Sequence, residues 1–228
     1  MSMLEMNYQV TFNVNSKIYL RDPESSELGK QMIKKGIDLI YSLGFEHFTI
    51  KKLAIEINTT EATIYRYFEN KHKLLLYILN WYWSYLAYIV LFQLQNIPDA
   101  KTKLKTIIKL LTNELPTSNG SLAYNKKYLH HIVIAESSKA YLIKEVSEVN
   151  KDDVYKPYKD LCGTIAQIIT QYNPKYKYPR SLCSTIIETA HQQQFFSSYL
   201  PRLTDKASKQ TDNYAEDFLN DFLFKILS

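Results

Sequence analysis

The pattern of apolar and polar residues predicts a chain built almost entirely of helices. After residue 21, apolar residues recur at three- and four-residue intervals, the spacing of one helix face. Helices are expected at residues 22–44, 49–58, 60–68, 70–96, 99–115, 121–136, 139–150, 154–172, 181–200 and 212–227. Linkers are expected at residues 116–120, 173–179 and 201–211, where proline and polar residues collect. The predicted fold class is therefore all-α.

Residues 8–20 have a different pattern. Apolar and polar side chains alternate along the first half of this segment, which is the period of a strand. A turn at Asn15 and Ser16 would lead back through residues 17–20 and give a short N-terminal β-hairpin. The alternative is a disordered arm, and either form is expected to contribute packing and no minor-groove contact.

Residues 49–75 contain two short amphipathic helices joined by a tight turn. Thr49 can cap the first helix, whose apolar positions are Leu53, Ala54 and Ile57. Asn58 tolerates the left-handed backbone and suits the turn. Thr60 can cap the second helix. This arrangement is typical of a helix-turn-helix motif.

The second of these helices has two distinct faces. At about 100° per residue, Ile64 and Phe68 point inward. The outward face is small and rich in hydrogen-bond donors; it consists of Ala62, Thr63 and Arg66, flanked by Tyr65 and Tyr67. Such a face suits close approach to phosphates and base edges. The alternative is an ordinary helical hairpin with a solvated face.

A cation follows at the start of the next helix. Asn70 can cap this helix, and Lys71 then lies in its first turn, where a positive charge opposes the helix dipole. A DNA phosphate would explain Lys71 at this position. The alternative is that Lys71 is solvated.

This segment resembles the DNA-binding domain of the tetracycline-repressor (TetR) family of transcriptional regulators. The matching pieces are Phe48-Thr49 with Leu53-Ala54, Thr60, the run Thr63 to Phe68, and Lys71 followed by Leu74-Leu75. The resemblance covers roughly residues 25–80. Asn58 and Ala62 stand where glycine is frequent in the family, which affects the expected base preference more than DNA binding itself.

The resemblance implies a set of DNA contacts. Phosphate contacts are expected from Thr49, Thr60, Tyr67 and Lys71, and major-groove contacts from Glu61, Ala62, Thr63, Tyr65 and Arg66. Lys52 joins them because its charge lies beside the motif. The expected domain division is an arm at residues 1–21, a DNA-binding domain at 22–70 and a larger helical effector-binding and dimerisation domain at 71–228. The expected function is a ligand-responsive regulator, a repressor that binds a palindromic double-stranded DNA operator as a homodimer.

Charge and compartment change this picture little. The net charge is +5, yet the first 70 residues carry slightly more acidic than basic side chains. A run of about 18 apolar residues and a secretory leader are both missing from the sequence, so a cytoplasmic protein without membrane contact is expected. Cys162 and Cys183 are expected to be buried apolar residues, with no disulfide in a reducing cytosol.

The chain is unusually aromatic, with 19 tyrosines and 10 phenylalanines. One interpretation is a pocket for a small apolar or aromatic effector, with candidate residues Trp81, Tyr82, Tyr85, Tyr128 and His131. The alternative is that these aromatic side chains fill the core and surface. The helix at residues 70–96 runs past these positions and could transmit an effector signal.

The last two predicted helices carry apolar stripes that need cover. By the resemblance, the same helices of a second subunit provide it in a four-helix bundle. The candidate interface residues are Ile187, His191, Gln194, Phe218 and Phe222.

Catalysis, cofactors and metals have little support in the sequence. Nucleophile, zinc-protease and phosphate-loop motifs are missing from it. His130 and His131 are adjacent and point about 100° apart on a helix, which disfavours a shared metal ion. The protein is therefore expected not to be an enzyme. The alternative to a DNA-binding regulator is a ligand- or partner-binding helical protein whose helix-turn-helix is a structural remnant.

Overall fold

The computed structural model describes residues 12–114, 124–205 and 214–228. Within these ranges the regular structure is helical, which confirms the all-α prediction. Most helices begin and end within a few residues of the boundaries that the apolar spacing predicted.

The expected hairpin return at residues 17–20 is wrong. Ser16–Ile18 form a single turn of 3-10 helix, in which the Asn15 side chain accepts a backbone N–H from within the turn. Ile18 is buried, so it anchors the segment through apolar contact instead of strand pairing. Residues 8–11, the first part of the expected hairpin, lie outside the described residues.

Three helices follow the N-terminal segment: α1 (Glu27–His47), α2 (Ile50–Glu56) and α3 (Glu61–Tyr65). Asp22 caps only the short 3-10 segment Pro23–Ser25, and Ser26 caps α1 by accepting the N–H of Gly29. Gly44 has a φ of 73° and interrupts the helical conformation of α1, as a glycine at this position predicted.

The fourth helix, α4 (Lys71–Leu94), is the longest. By length and composition it could cross a membrane, a property that counting apolar runs did not reveal. However, 78% of its apolar window is buried inside the protein. A core helix passes the same test, so α4 is best described as a helix of the protein interior.

Seven more helices complete the described chain: α5 (Ala100–Thr112), α6 (Lys126–Glu136), α7 (Ser138–Tyr141), α8 (Val146–Lys151), α9 (Lys156–Tyr172), α10 (Pro179–Tyr199) and α11 (Tyr214–Leu227). The single helix expected at residues 139–150 is wrong, because α7 and α8 are separate. Leu142 leaves the helical conformation with a ψ of 55°. This break contains neither glycine nor proline, so the residue pattern could not predict it.

The chain forms two compact units. The first contains the described parts of Met1–Tyr82, Leu115–Ile132 and Glu136–Val154, and the second those of Trp83–Glu114, Val133–Ala135 and Tyr155–Ser228. The first unit thus includes more than the three helices of the expected DNA-binding domain at residues 22–70. In the second unit, α5, α9, α10 and α11 pack together around buried aliphatic side chains.

Candidate nucleic-acid interface

The α2–α3 connection has helix-turn-helix geometry. The hydroxyl oxygen of Thr49 accepts the N–H of Lys52 at 3.2 Å, and that of Thr60 accepts the N–H of Thr63 at 3.2 Å. Asn58 has a φ of 50°, the left-handed conformation that the turn requires. The threonine caps and the asparagine turn therefore have the roles that the sequence predicted.

The predicted inner face of α3 is confirmed. Ile64 and Phe68 are fully buried, whereas the candidate groove residues Glu61, Ala62, Tyr65 and Arg66 are exposed and Thr63 is half-buried. Among the candidate phosphate contacts, Thr49, Lys52 and Thr60 are exposed. These positions together form an accessible surface of small, polar and basic groups at the motif.

Tyr67 lies differently from its predicted position. Its side chain is 2% exposed, and its hydroxyl shares a 2.8 Å hydrogen bond with the hydroxyl of Ser26. The Arg21 guanidinium lies 5.1 Å from the centre of the Tyr67 ring. The expected outward orientation is wrong because the Tyr67 side chain packs against Ser26 and Arg21, which precede it by more than 40 positions and which a helical projection cannot show. Its phosphate contact remains a prediction.

Lys71 has protein partners that explain its unfavourable position in the first turn of α4. Its ammonium group donates hydrogen bonds to the carbonyls of Phe45 at 3.0 Å, Glu46 at 3.3 Å and Phe48 at 3.2 Å. It also lies 4.6 Å from the centre of the Phe45 ring. These carbonyls follow the interruption at Gly44. A phosphate is therefore not needed to explain the position of Lys71.

The last turn of α1, after Gly44, has a second support that the sequence pattern did not indicate. The Glu136 carboxylate accepts the backbone N–H of Phe45 at 3.0 Å. Lys139 forms ion pairs with Glu136 at 2.8 Å and with Glu46 at 2.9 Å. The hydrogen bond and charge of Lys139 hold the pKa of Glu46 below its ordinary value. Phe45 and Glu136 are 91 positions apart in the sequence, so no local pattern could have indicated their contact.

The candidate pocket residues are mostly packed against other rings. The Tyr128 ring stacks on Tyr41 at 3.9 Å, and the His131 ring meets Tyr41 edge-on at 5.0 Å. Trp81, Tyr82 and Tyr85 are buried. Trp81 contacts Tyr124 edge-on at 5.1 Å, and the Tyr82 hydroxyl hydrogen-bonds to His130 at 3.1 Å.

Two cavities can be described, and both are lined by other residues. One, of about 300 Å³ in the first unit, lies between the start of α4 and residues 143–149. The other, of about 370 Å³ in the second unit, lies between α9 and α10. The effector site predicted around Trp81 therefore remains a prediction.

The histidines of the described chain do not form a metal site. Within residues 12–114, 124–205 and 214–228, no three His, Cys, Asp or Glu side chains are close enough to share an ion. Burial lowers the pKa of His131, and the charge of Glu136 opposes this shift. His130 is buried and bonded to Tyr82.

Three of the candidate dimer residues face the interior of their own chain. Ile187 and His191 are buried, and the His191 ring lies 5.6 Å from that of Trp83. The Gln194 side chain donates to the carbonyl of Leu111 at 3.1 Å. Ile187 and His191 are therefore covered within the protomer and Gln194 is half-buried, and a role for these residues in a dimer interface stays a prediction.

Phe218 and Phe222 remain half-exposed on α11. Their rings continue a stack that starts at Tyr214, with 6.2 Å between successive centres. The opposite face of α11 is buried through Leu219 and Leu223. An aromatic face is therefore left at the surface of α11.

Comparison with known proteins agrees with this geometry. Residues 33–78 match the family model described as bacterial regulatory proteins, tetR family. The match includes most of α1, all of α2 and α3, and the start of α4. A search of curated protein sequences finds no significant match.

Solved structures share the fold over most of the chain. AibR in complex with isovaleryl coenzyme A and operator DNA has 16% identity and a TM-score of 0.58, covering 87% of this chain and 98% of that chain. The fatty acid degradation regulator FadR from Bacillus halodurans has 15% identity and a TM-score of 0.59, covering 89% and 96%. A transcriptional regulator from Saccharomonospora viridis in complex with choline has 21% identity and a TM-score of 0.57, covering 86% and 94%. Residues 33–78 of this chain are thus similar to the tetR family of bacterial regulatory proteins, and the chain shares the fold of these solved regulators.

Proposed function

We propose that this protein is a cytoplasmic, ligand-responsive transcriptional repressor that reads an operator with α3. The observation that carries the proposal is the outward face of α3, where Glu61, Ala62, Tyr65 and Arg66 are exposed. Arg66 can donate paired hydrogen bonds to a guanine edge, and Ala62 leaves room for close approach. This face has the chemistry needed to distinguish base pairs.

The phosphate contacts are assigned to the exposed edge of the motif. Thr49 and Thr60 lie at the N-termini of α2 and α3, where backbone N–H groups and the helix dipole favour an anion. Lys52 adds a positive charge beside Thr49. These groups would fix the orientation of α3 in the groove without reading sequence.

A homodimer would present two such motifs to a palindromic operator. The exposed aromatic face of α11, formed by Tyr214, Phe218 and Phe222, is the surface assigned to the second copy. A twofold dimer buries the same face on both subunits. Its two recognition helices would then enter half-sites about one DNA turn, roughly 34 Å, apart.

The effector is expected to be a small apolar or aromatic molecule. Relatives with this fold have been solved with isovaleryl coenzyme A and with choline, which supports a small-molecule effector as a class. Trp81 and Trp83 allow a direct test by fluorescence. An effector that binds near Trp81 should change the fluorescence at the same concentrations that change operator affinity.

The deciding experiment measures fluorescence anisotropy with DNA from the region upstream of the protein's own gene and with scrambled DNA. We expect specific binding that weakens with salt. Arg66→Ala should reduce the preference for the specific DNA, whereas Lys105→Ala, on the exposed side of α5, should leave it unchanged. If the Arg66→Ala protein prefers the specific DNA as strongly as the wild type does, α3 does not read the bases.

A second candidate function has one observation in its favour. Tyr67 and Lys71, two phosphate contacts implied by the family, are engaged inside the protein. This is what a helix-turn-helix retained only as structure would show, in a protein that binds a ligand or partner instead of DNA. If the wild-type protein does not bind either DNA at low salt, this alternative replaces the repressor.

A further inference from the structure

The two cysteines of the chain meet in the second compact unit. Cys162 lies on α9 and Cys183 on α10, and their side chains are within hydrogen-bond distance of each other. Cys183 is fully buried, as expected, but Cys162 is only half-buried. The expectation that both thiols are buried is therefore wrong for Cys162.

The surroundings of Cys162 differ from those of an inert buried thiol. Its sulfur lies 3.6 Å from the carbonyl oxygen of Arg180, which its thiol can donate to. The open cavity of about 370 Å³ between α9 and α10 is lined by Gly163, the next residue along the chain, and by Arg180.

The electrostatics favour the thiolate of Cys162. The hydrogen bond from Cys183, which has the largest effect, together with the charge of Arg180 and the N–H of Ser184 lowers the pKa of the Cys162 thiol to about 7 against the effect of burial. The same contact with Cys162 and its own burial raise the pKa of Cys183. One sulfur is therefore suited to attack, and its neighbour remains a protonated thiol.

We propose that Cys162 and Cys183 form a peroxide-reactive dithiol, with Cys162 as the attacking group and Cys183 as the resolving thiol. The proposal stands on the contact of the two side chains, the partial exposure of Cys162 and the direct packing of α9 against α10. A reactive, accessible thiol next to a second thiol is the arrangement typical of redox-sensing cysteines. It is independent of whether the protein binds DNA.

The chemistry needs only a hydroperoxide as oxidant. The Cys162 thiolate attacks the terminal oxygen, the O–O bond breaks, and the other oxygen leaves as an alkoxide or hydroxide that takes a proton from water. This oxidises Cys162 to a sulfenic acid and reduces the peroxide. The Cys183 sulfur then attacks the Cys162 sulfur, the S–O bond breaks, and the hydroxyl leaves as water with the proton of Cys183. The product is an intrachain disulfide.

The test treats the reduced full-length protein with hydrogen peroxide and follows it by mass spectrometry. We expect a loss of about 2 Da, for two hydrogen atoms, and a linked peptide pair containing Cys162 and Cys183. Cys183→Ser should stop at a sulfenic acid on Cys162 that dimedone traps. In the Cys162→Ser protein the Cys183 thiol should remain unoxidised. If Cys183→Ser does not fold, Cys183→Ala serves, with helical circular dichroism as the check.

Three results would overturn the proposal. The first is retention of both thiols in wild-type protein at peroxide concentrations that oxidise free glutathione. The second is a disulfide between two chains, and the third is dimedone labelling of Cys183. An independent readout is the rate of Cys162 alkylation by iodoacetamide in Cys183-intact protein, which should be half-maximal near pH 7. A half-maximal rate at about pH 8.5 or above, as for an ordinary thiol, would contradict the assigned thiolate.

Discussion

Lys71→Met tests whether the Lys71 ammonium group stabilises the folded protein or contacts a DNA phosphate. Methionine keeps the long apolar stem but removes the ammonium group. In the structure this group donates to three carbonyls, those of Phe45, Glu46 and Phe48, at 3.0, 3.3 and 3.2 Å. It also contacts the Phe45 ring at 4.6 Å. The substitution therefore leaves three backbone acceptors without their partner.

The expected loss is about 2–3 kcal/mol in the free energy of unfolding. A hydrogen bond to a charged group contributes roughly 1.5–3 kcal/mol when both partners are shielded. Two of the three bonds are long, and water can replace Lys71 at the exposed Glu46 carbonyl, so the three contribute less than their sum. The contact with the ring adds about 0.5–1 kcal/mol.

Urea unfolding followed by helical circular dichroism measures this loss. Lys73→Met is the matched control, because Lys73 lies in the same turn and donates to a single carbonyl, that of Lys17, at 3.0 Å. We expect the control to lose about 1 kcal/mol. If Lys71→Met is as stable as the wild type but shows a salt dependence of DNA binding reduced by about one phosphate contact per subunit, the assignment of Lys71 to the carbonyls is refuted.

Three further substitutions test the fold and the interface. Gly29→Ala should cost about 2 kcal/mol or more in urea unfolding, because its Cβ would lie 2.2 Å from the Pro23 carbonyl oxygen. Gly36→Ala on the same helix should cost less, since its nearest neighbour is a movable leucine side chain at 3.3 Å. Phe222→Asp should give a folded monomer in sedimentation velocity, whereas Phe222→Leu should remain a dimer; a stable Phe222→Asp dimer would move the interface off α11. Thr60→Ala should lower stability by about 1 kcal/mol through loss of the α3 cap, and Thr60→Ser should restore it; equal stability of all three proteins would contradict the capping role.

The helix-turn-helix could be predicted because its determinants are local. Thr49 and Thr60 cap helices through bonds to residues three positions away, and Asn58 adopts the left-handed turn by its own preference. Helical periodicity then decides that Ile64 and Phe68 face inward. Each of these steps uses only neighbours in the sequence, and the structure confirms them.

The orientation of Tyr67 and of three dimer candidates could not be predicted in this way. Tyr67 is buried by partners far away in the sequence, Ser26 and Arg21, which a helical projection does not show. Ile187, His191 and Gln194 do lie on one side of α10, as their spacing predicted, but the spacing does not say what covers that side. Their own chain covers it, through Leu111 and Trp83 among others. Periodicity finds a buried face and leaves its partner undetermined.

The break after Gly44 links the local and distant determinants of the candidate DNA interface. At Gly44 the backbone departs from the helical conformation inside α1, so polar groups of the last turn of α1 need partners outside the helix. The carbonyl of Phe45 accepts a hydrogen bond from Lys71, and the N–H of Phe45 donates one to Glu136. The residues that lead into α2 are thus hydrogen-bonded both to the start of α4 and to the end of α6. Sequence patterns locate Gly44 but do not identify these partners. For the same reason the domain boundary predicted at residue 70 leaves out Lys71 and Glu136, which bind the residues that lead into α2.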